Sequence, residues 1–318
     1  MKGLSKDSQL WREIGEEAAG QRIDNYLVRT LKGVPKSHIY RILRSGEVRV
    51  NSKRVGPDYR LDAGDQVRVP PTRVAQPAAT PITPGPSRFV GRVLHEDDSL
   101  LALDKPAGIA VHGGSGISLG LVEQLRHDRP DCRFLELVHR LDRDTSGVLL
   151  IAKKRSALTR LHEQLRSGEV QKVYLALVHG RWRGQTRNVR LPLERYVLAS
   201  GERRVKVRPE GMPSHTVFTL RRSMPPYSLL EAELKTGRTH QIRVHLAHLG
   251  FPIAGDEKYG DYQLNRRLAG QGLKRMFLHA WRIVVAHPQT GEPLAIEAPL
   301  PDYLKRFLDG CGKVDEGT

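Results

Sequence analysis

Apolar residues first recur at helical spacing at Ile23, Leu27 and Leu31, so segment 21–31 predicts an amphipathic helix with Asp24 and Asn25 early in it. A second helix is predicted from Pro35 to Leu43, with proline in its first turn and Ile39, Ile42 and Leu43 as its apolar stripe. Two short alternating runs in GEVRVNSKRV, around Asn51-Ser52-Lys53, predict a hairpin. Val67 and Val69 then alternate with Gln66 and Arg68 behind an Ala-Gly-Asp turn. The pattern breaks over 70–88, where six prolines among Ala, Thr and Gly predict an extended linker. Beyond it strands and helices mix. FVGRVLHEDDSLLALDKPAG predicts two strands around an acidic turn, and the unbroken apolar run Val148–Ala152 predicts a buried strand. Leu158, Leu161 and Leu165 mark a helix, and 173–178 a strand with Tyr174, Ala176 and Val178 on one face. Ile242, Leu246 and Leu249 mark another helix.

The 318 residues suit one large domain with a smaller partner, and a mean hydropathy of −0.45 suits a globular chain. Charge changes the picture: 52 Lys+Arg against 35 Asp+Glu leaves +17, which points to a polyanionic partner. No stretch approaches the roughly 18 apolar residues of a membrane span, so no membrane association is expected. The first residues lack the apolar core of a secretory signal. Cys132 and Cys311 stand outside any CxxC or Cys/His spacing, which argues against a disulfide framework or zinc site and for a reducing cytoplasm.

The basic residues group on the two short helices and the hairpin, and a charge run is most often simply a solvated face. Here the strings RIDNYL, PKSHIYRILRSGEVRVNSKRV and LDAGDQVRV resemble the S4-type RNA-binding domain over about residues 20–83. The resemblance implies that Arg22, Lys36, Arg41 and Arg44 approach RNA phosphates, contacts that position a protein on RNA without reading sequence.

The loop His139 to Gly147, HRLDRDTSG, places two carboxylates two residues apart among His139, Arg140 and Arg143, directly before the predicted buried strand. Such a setting favours an ionised carboxylate that acts as base or nucleophile, and it attracts an anionic substrate. Asp144, opening Asp-Thr-Ser-Gly, reads as turn chemistry. HRLDRDTSG resembles the catalytic loop of the RluA/RluC family of RNA pseudouridine synthases, with the family aspartate at Asp142. The resemblance extends to DKPAGIAVH at 104–112, QKVYLALVHG at 171–180 and GRTHQIRVHLAHLGFPIAGDEKYG at 237–260. It is nearest to the RluC type, which modifies large-subunit ribosomal RNA.

That resemblance implies an essential carboxylate at Asp142, acting by attack at C1′ or by removal of the 2′ proton. It implies that Tyr174 stacks on the target base, a contact worth about 1–3 kcal/mol, and assists loss of the C5 proton. Arg243 would pair with the catalytic carboxylate, and Lys105 and Pro106 would be structural. His240, His245 and His248 lack a companion motif such as HExxH, so no metal is expected. No nucleotide-binding glycine motif follows a strand, GGSG at 113–116 reads as a flexible loop, and no cofactor is expected.

The implied fold is α+β: a catalytic domain over 89–310 built on a mixed, largely antiparallel sheet, with a small α/β S4-type module over 20–83. Residues 1–19 are expected to form an N-terminal extension and 311–318 a disordered tail. The implied activity is isomerisation of specific uridines, flipped out of the RNA, by a cytoplasmic monomer acting on naked rRNA or an assembling particle. Two rivals share parts of the pattern. A non-catalytic rRNA-binding or ribosome-assembly protein explains the charge but not the set of Asp142, Tyr174 and Arg243. A glycoside hydrolase would use Asp142 and Asp144 about 5–9.5 Å apart, and leaves the basic module unexplained.

Overall fold

A computed structural model describes residues 10–31, 34–71, 92–113 and 120–311. Residues 1–9 of the expected extension, most of the proline-rich linker, all of the GGSG segment but Gly113, and the tail past Cys311 lie outside the described residues. The chain divides between Pro86 and Ser87 into two compact units.

In the first unit, β1 (Leu10–Glu13), α1 (Ile23–Thr30), α2 (Lys36–Arg44), β2 (Arg49–Val50), β3 (Lys53–Arg54) and β4 (Gln66–Val69) follow in order. The sheet runs β1-β4-β2-β3, all antiparallel. Asn51 and Ser52 both take positive φ, 47° and 67°, the pairing that lets a two-residue turn match strand twist. Ile23, Leu27, Ile39, Ile42 and Leu43 bury against Val48, Val50, Val67 and Val69. Burial of each such side chain contributes about 1.5–3 kcal/mol. The stretch 1–19, expected to be an extension, is not all separate from this module. Leu10–Glu13 pairs with β4 from Leu10↔Val69 to Glu13↔Gln66, and Ile14 and Ala18 fill the module's core. The open edge of β4 takes a partner that no motif marks.

The second unit contains β5 (Arg92–Glu96), β6 (Leu100–Lys105), α3 (Leu121–Asp128), β7 (Glu136–Leu137), β8 (Ser146–Ala152), α4 (Arg155–Ser167) and β9 (Gln171–His179). Then come β10 (Thr186–Val189), β11 (Leu193–Val197), β12 (Arg203–Val207), β13 (Thr216–Met224), β14 (Tyr227–Leu234), α5 (Gln241–His248) and α6 (Tyr262–Gly270). It closes with β15 (Leu278–Ala286), β16 (Pro293–Glu297) and α7 (Asp302–Cys311). Cys311 thus ends a helix rather than opening a tail, because it packs beside Leu304, Phe307 and Leu308 of the same amphipathic turn set.

The ten-stranded sheet runs β10-β13-β14-β9-β15-β8-β6-β5, with β16 on β15 and β7 on β8. Its pairings among the described residues are antiparallel except β15 with β8, where His279↔Ser146 and Ala280↔Gly147 run parallel. β8 is buried along its whole length and splits its side chains between two cores. Leu149 and Ile151 join Leu121 and Leu125 of α3 and Ile242 and Leu246 of α5, while Val148, Leu150 and Ala152 join Ala157, Leu158 and Leu161 of α4. The sheet is covered on both faces, which is why 148–152 reads as a continuous apolar run.

Candidate active site

Asp142 lies on the loop between β7 and β8, and the sheet fixes both ends of that loop. At its far end Gly147 has φ +112°, and a Cβ there would collide with the carbonyl of Ala280 across the parallel crossing, so only glycine lets the strands meet. The loop's carbonyls are held from outside. Lys105, fully buried at the end of β6, donates from Nζ to the carbonyls of Pro106, Ile109 and Arg143 at 2.9, 2.9 and 3.0 Å. Gly108 N–H also donates to the Arg143 carbonyl, and Arg275 Nη1 donates to that of Asp144. Burial pushes the Lys105 ammonium down to about 7, while the charges of Asp144 and Asp142 act against that shift. The motif DKPAG therefore has a physical use: its lysine ties two loops together.

Arg243 reaches the loop from α5. Its Nη1 donates to Asp142 Oδ2 at 3.1 Å, while Nε and Nη2 donate to the two oxygens of Asp256, both at 2.8 Å. Asp256 is 1% exposed, Arg243 8% and Asp142 21%, so the carboxylate–guanidinium–carboxylate line runs from a buried end at Asp256 to a half-buried one at Asp142. Desolvation alone would raise the Asp256 carboxyl. The Arg243 guanidinium and the backbone N–H groups of Lys258 and Tyr259 outweigh it and hold the carboxyl below its ordinary range. The Arg243 side chain also lies over the Tyr259 ring, 5.0 Å from its centroid.

Tyr174 sits on β9 with Ala176 and Val178 facing the same core, and it lines a cleft of about 380 Å³ with Asp142, Arg243, His240 and Lys172. The three residues expected to act together, Asp142, Tyr174 and Arg243, therefore share one cleft. Burial and the Asp142 charge push the Tyr174 phenol up, so the ring keeps its proton.

Other expectations divide. His139, read as part of the positive setting of Asp142, is a neutral acceptor: its Nε2 takes the N–H of Leu150, and burial holds it down to about 4. Asp144 is half exposed and pairs with Arg143, and the Asp142 carbonyl accepts from Thr145 N–H, as the turn reading has it. The three histidines of 237–260 part company. His245 bonds Ser214, Thr216 and the Leu191 carbonyl inside the core, His248 ends α5, and His240 alone faces the cleft. Among the described residues, no group of His, Cys, Asp and Glu has a metal-holding arrangement. In the first unit Lys36, Arg41 and Arg44 are exposed on the outward arc of α2. Arg22, capping α1, is instead bonded to the buried Asp24 at 2.8 Å. Sequence reasoning gave no role to Asp256, Tyr259 or Lys172 and weighed His240 only as a metal ligand. All four lie inside the quoted motifs, but short-range spacing gives no sign that they converge.

Comparison with known proteins identifies the family. Residues 99–248 match the family described as RNA pseudouridylate synthase, and residues 21–67 match the S4 domain. The chain is 56% identical over 300 residues to the ribosomal large subunit pseudouridine synthase C of Escherichia coli O157:H7, covering 93% of this chain and 94% of that protein. It is 54% identical over 298 residues to the protein of the same name from Yersinia pestis, covering 93% of each chain. Among solved structures, human RNA pseudouridylate synthase domain containing 4 aligns with a TM-score of 0.56 at 25% identity, over 68% of this chain and 91% of that one. With more than half of the residues shared along nearly the full length, and with this fold beneath them, the chain belongs to the RNA pseudouridylate synthase family.

Proposed function

We propose that the chain isomerises specific uridines of large-subunit ribosomal RNA to pseudouridine, with Asp142 as the essential carboxylate. The observation that carries this reading is the placement of Asp142 against Arg243 in a cleft walled by Tyr174. The names of the similar bacterial proteins support the choice of substrate.

The reaction breaks the N1–C1′ bond, turns the detached uracil and joins C5 to C1′; C5 loses a proton and N1 takes one up, so the product is an isomer of the substrate. A carboxylate beside the ribose serves the first step, whether it attacks C1′ or takes the 2′ proton. Arg243 fixes its Oδ2, and Asp256 fixes Arg243, so the acting group is placed before substrate arrives. The Tyr174 ring supplies a face against which the loose base is retained. Lys36, Arg41 and Arg44 supply phosphate contacts in the S4 unit, and Arg22, already paired with Asp24, contributes less. The reading also makes the protein a cytoplasmic monomer.

The test is pseudouridine mapping of large-subunit rRNA from cells lacking the protein, complemented with wild type or Asp142→Ala. Sites lost without the protein, restored by wild type and not by the variant, are the expected result. Restoration by Asp142→Ala would remove its role, and no lost site would overturn the substrate.

A further inference from the structure

His240 is the cleft residue whose conformation and bonding the account above leaves unused. It takes φ 54° and ψ 20°, a left-handed conformation that a side chain with a Cβ rarely adopts, and it does so at the residue that caps α5 beside Asp142. The turn around it is tied down: Gln241, buried next to it, accepts from the Arg238 N–H and from Thr236, and donates to Thr216 and the His215 carbonyl. The backbone is thus held where the imidazole must enter the cleft.

The proton on that ring can be assigned from its neighbours. Tyr259 Oη accepts from the Val205 N–H at 2.9 Å and lies 2.7 Å from His240 Nδ1. Burial pushes the Tyr259 phenol up to about 12, so its oxygen keeps a hydrogen, and Nδ1 is the acceptor beside it. Burial also holds His240 down to about 4, although the Asp142 charge works against that, so the ring is neutral near pH 7. A neutral ring that accepts at Nδ1 carries its hydrogen on Nε2. Nε2 lies 3.8 Å from Asp142 Oδ2, too far for a direct hydrogen bond and close enough that a substrate oxygen bound there sits beside the acting carboxylate.

We infer that His240 is a catalytic residue whose Nε2–H donates to a carbonyl oxygen of the detached uracil, with Tyr259 as the positioning residue that fixes its tautomer. The inference rests on the uridine isomerisation proposed above. When the N1–C1′ bond breaks its electron pair leaves with the base, and the charge spreads from N1 to the adjacent O2, the base oxygen nearest C1′. A half-turn about the N3–C6 axis exchanges N1 with C5 and O2 with O4. The same donor therefore meets a carbonyl oxygen before and after the turn, and His240 keeps its proton throughout.

The experiment is single-turnover pseudouridine formation on deproteinised large-subunit rRNA from cells lacking the protein, with RNA affinity and melting measured for each variant. Wild type must form pseudouridine and Asp142→Ala must not. If wild type forms none on this RNA and none on large-subunit particles from the same cells, the functional reading falls and this inference with it; if only the particles react, they serve as the substrate for every variant. Given that activity, His240→Leu is expected to slow the chemical step by about 100-fold, the scale of losing one preorganised donor, with RNA affinity within about two-fold. His240→Gln, which returns an N–H near the place of Nε2, is expected to recover about ten-fold of that loss. Tyr259→Phe, which lets the proton move to Nδ1, should cost about ten-fold. A His240→Leu rate within about three-fold of wild type, or a Gln variant no faster than a well-folded Leu variant, overturns the inference. If the Leu variant does not fold, Tyr259→Phe decides, and a wild-type rate there overturns it.

Discussion

The loop that carries Asp142 and the helix α2 that carries Lys36, Arg41 and Arg44 are both rich in charge, yet they are built in opposite ways. In the loop, apart from the Arg143–Asp144 pair and the turn bond from Thr145 to the Asp142 carbonyl, the ties run to other elements. Lys105 and Gly108 hold the Arg143 carbonyl, Arg275 holds that of Asp144, Arg243 holds Asp142, and Asp256 holds Arg243. On α2 the cationic side chains bond only within the helix, Arg41 to His38 and Arg44 to the Tyr40 carbonyl, and their charged ends stay exposed. On the proposed function, the difference follows from two tasks. Breaking one C–N bond requires an acting group placed to within a fraction of an ångström, since a misplacement of about 1 Å costs on the order of 10²-fold. Holding a polyanion requires only a field, felt over about 8–10 Å and indifferent to which rotamer supplies it.

Substitutions at the two places should differ accordingly. Asp142→Ala is expected to reduce pseudouridine formation by about 10³-fold or more while RNA affinity stays near wild type. An equal loss in affinity would mean that the loop works mainly as a binding element. Asp256→Asn leaves Arg243 with a single charged partner and should cost about 3 kcal/mol of stability at pH 7 by denaturant melting. The sign of its pH dependence follows from the folded-state shift. Because the Asp256 carboxyl is held below its ordinary 3.8, its contribution is fully present above that value and is lost as pH falls through the folded one. The gap between wild type and Asp256→Asn should therefore begin to narrow only below about pH 4 and shrink steadily from there, and a gap that does not change as pH falls would show packing rather than charge. Lys105→Met, which removes the donor to three carbonyls, should cost about 2 kcal/mol and slow catalysis without touching substrate. The smallest effect belongs to α2. Arg41→Ser with Arg44→Ser should weaken RNA binding up to about ten-fold and lower the slope of log affinity against log salt by about two. A pair of α2 substitutions that abolished the reaction at saturating RNA would break the contrast.

Legibility in the sequence followed the same contrast. The amphipathic faces of α1, α2 and α4, the hairpin at Asn51-Ser52 and the fully buried β8 were readable because local periodicity carries them. Tyr174 and Arg243 were named from motif resemblance, and their shared cleft depends on pairings no local pattern records. Arg243 meets Asp142 across 101 residues. Asp256 was visible in the string GDEKYG but had no role there, since its significance lies in which guanidinium it faces. His139 was misjudged for a related reason: type alone makes a histidine beside arginines look cationic, whereas burial and one backbone N–H make it neutral. β1 went unseen because its four residues matter only through the edge of β4.

The separation of the loop's supports along the chain has a consequence in time. Asp142 leaves a translating ribosome well before Arg243, and Asp144 precedes the Arg275 that clasps its carbonyl by 131 residues. At about 5–20 residues per second, that interval is on the order of ten seconds. A nascent chain therefore carries its reactive carboxylate unbraced until most of the second unit has been made. With Asp142 as the acting group, activity waits for the last of these supports, made long after the residue that they hold.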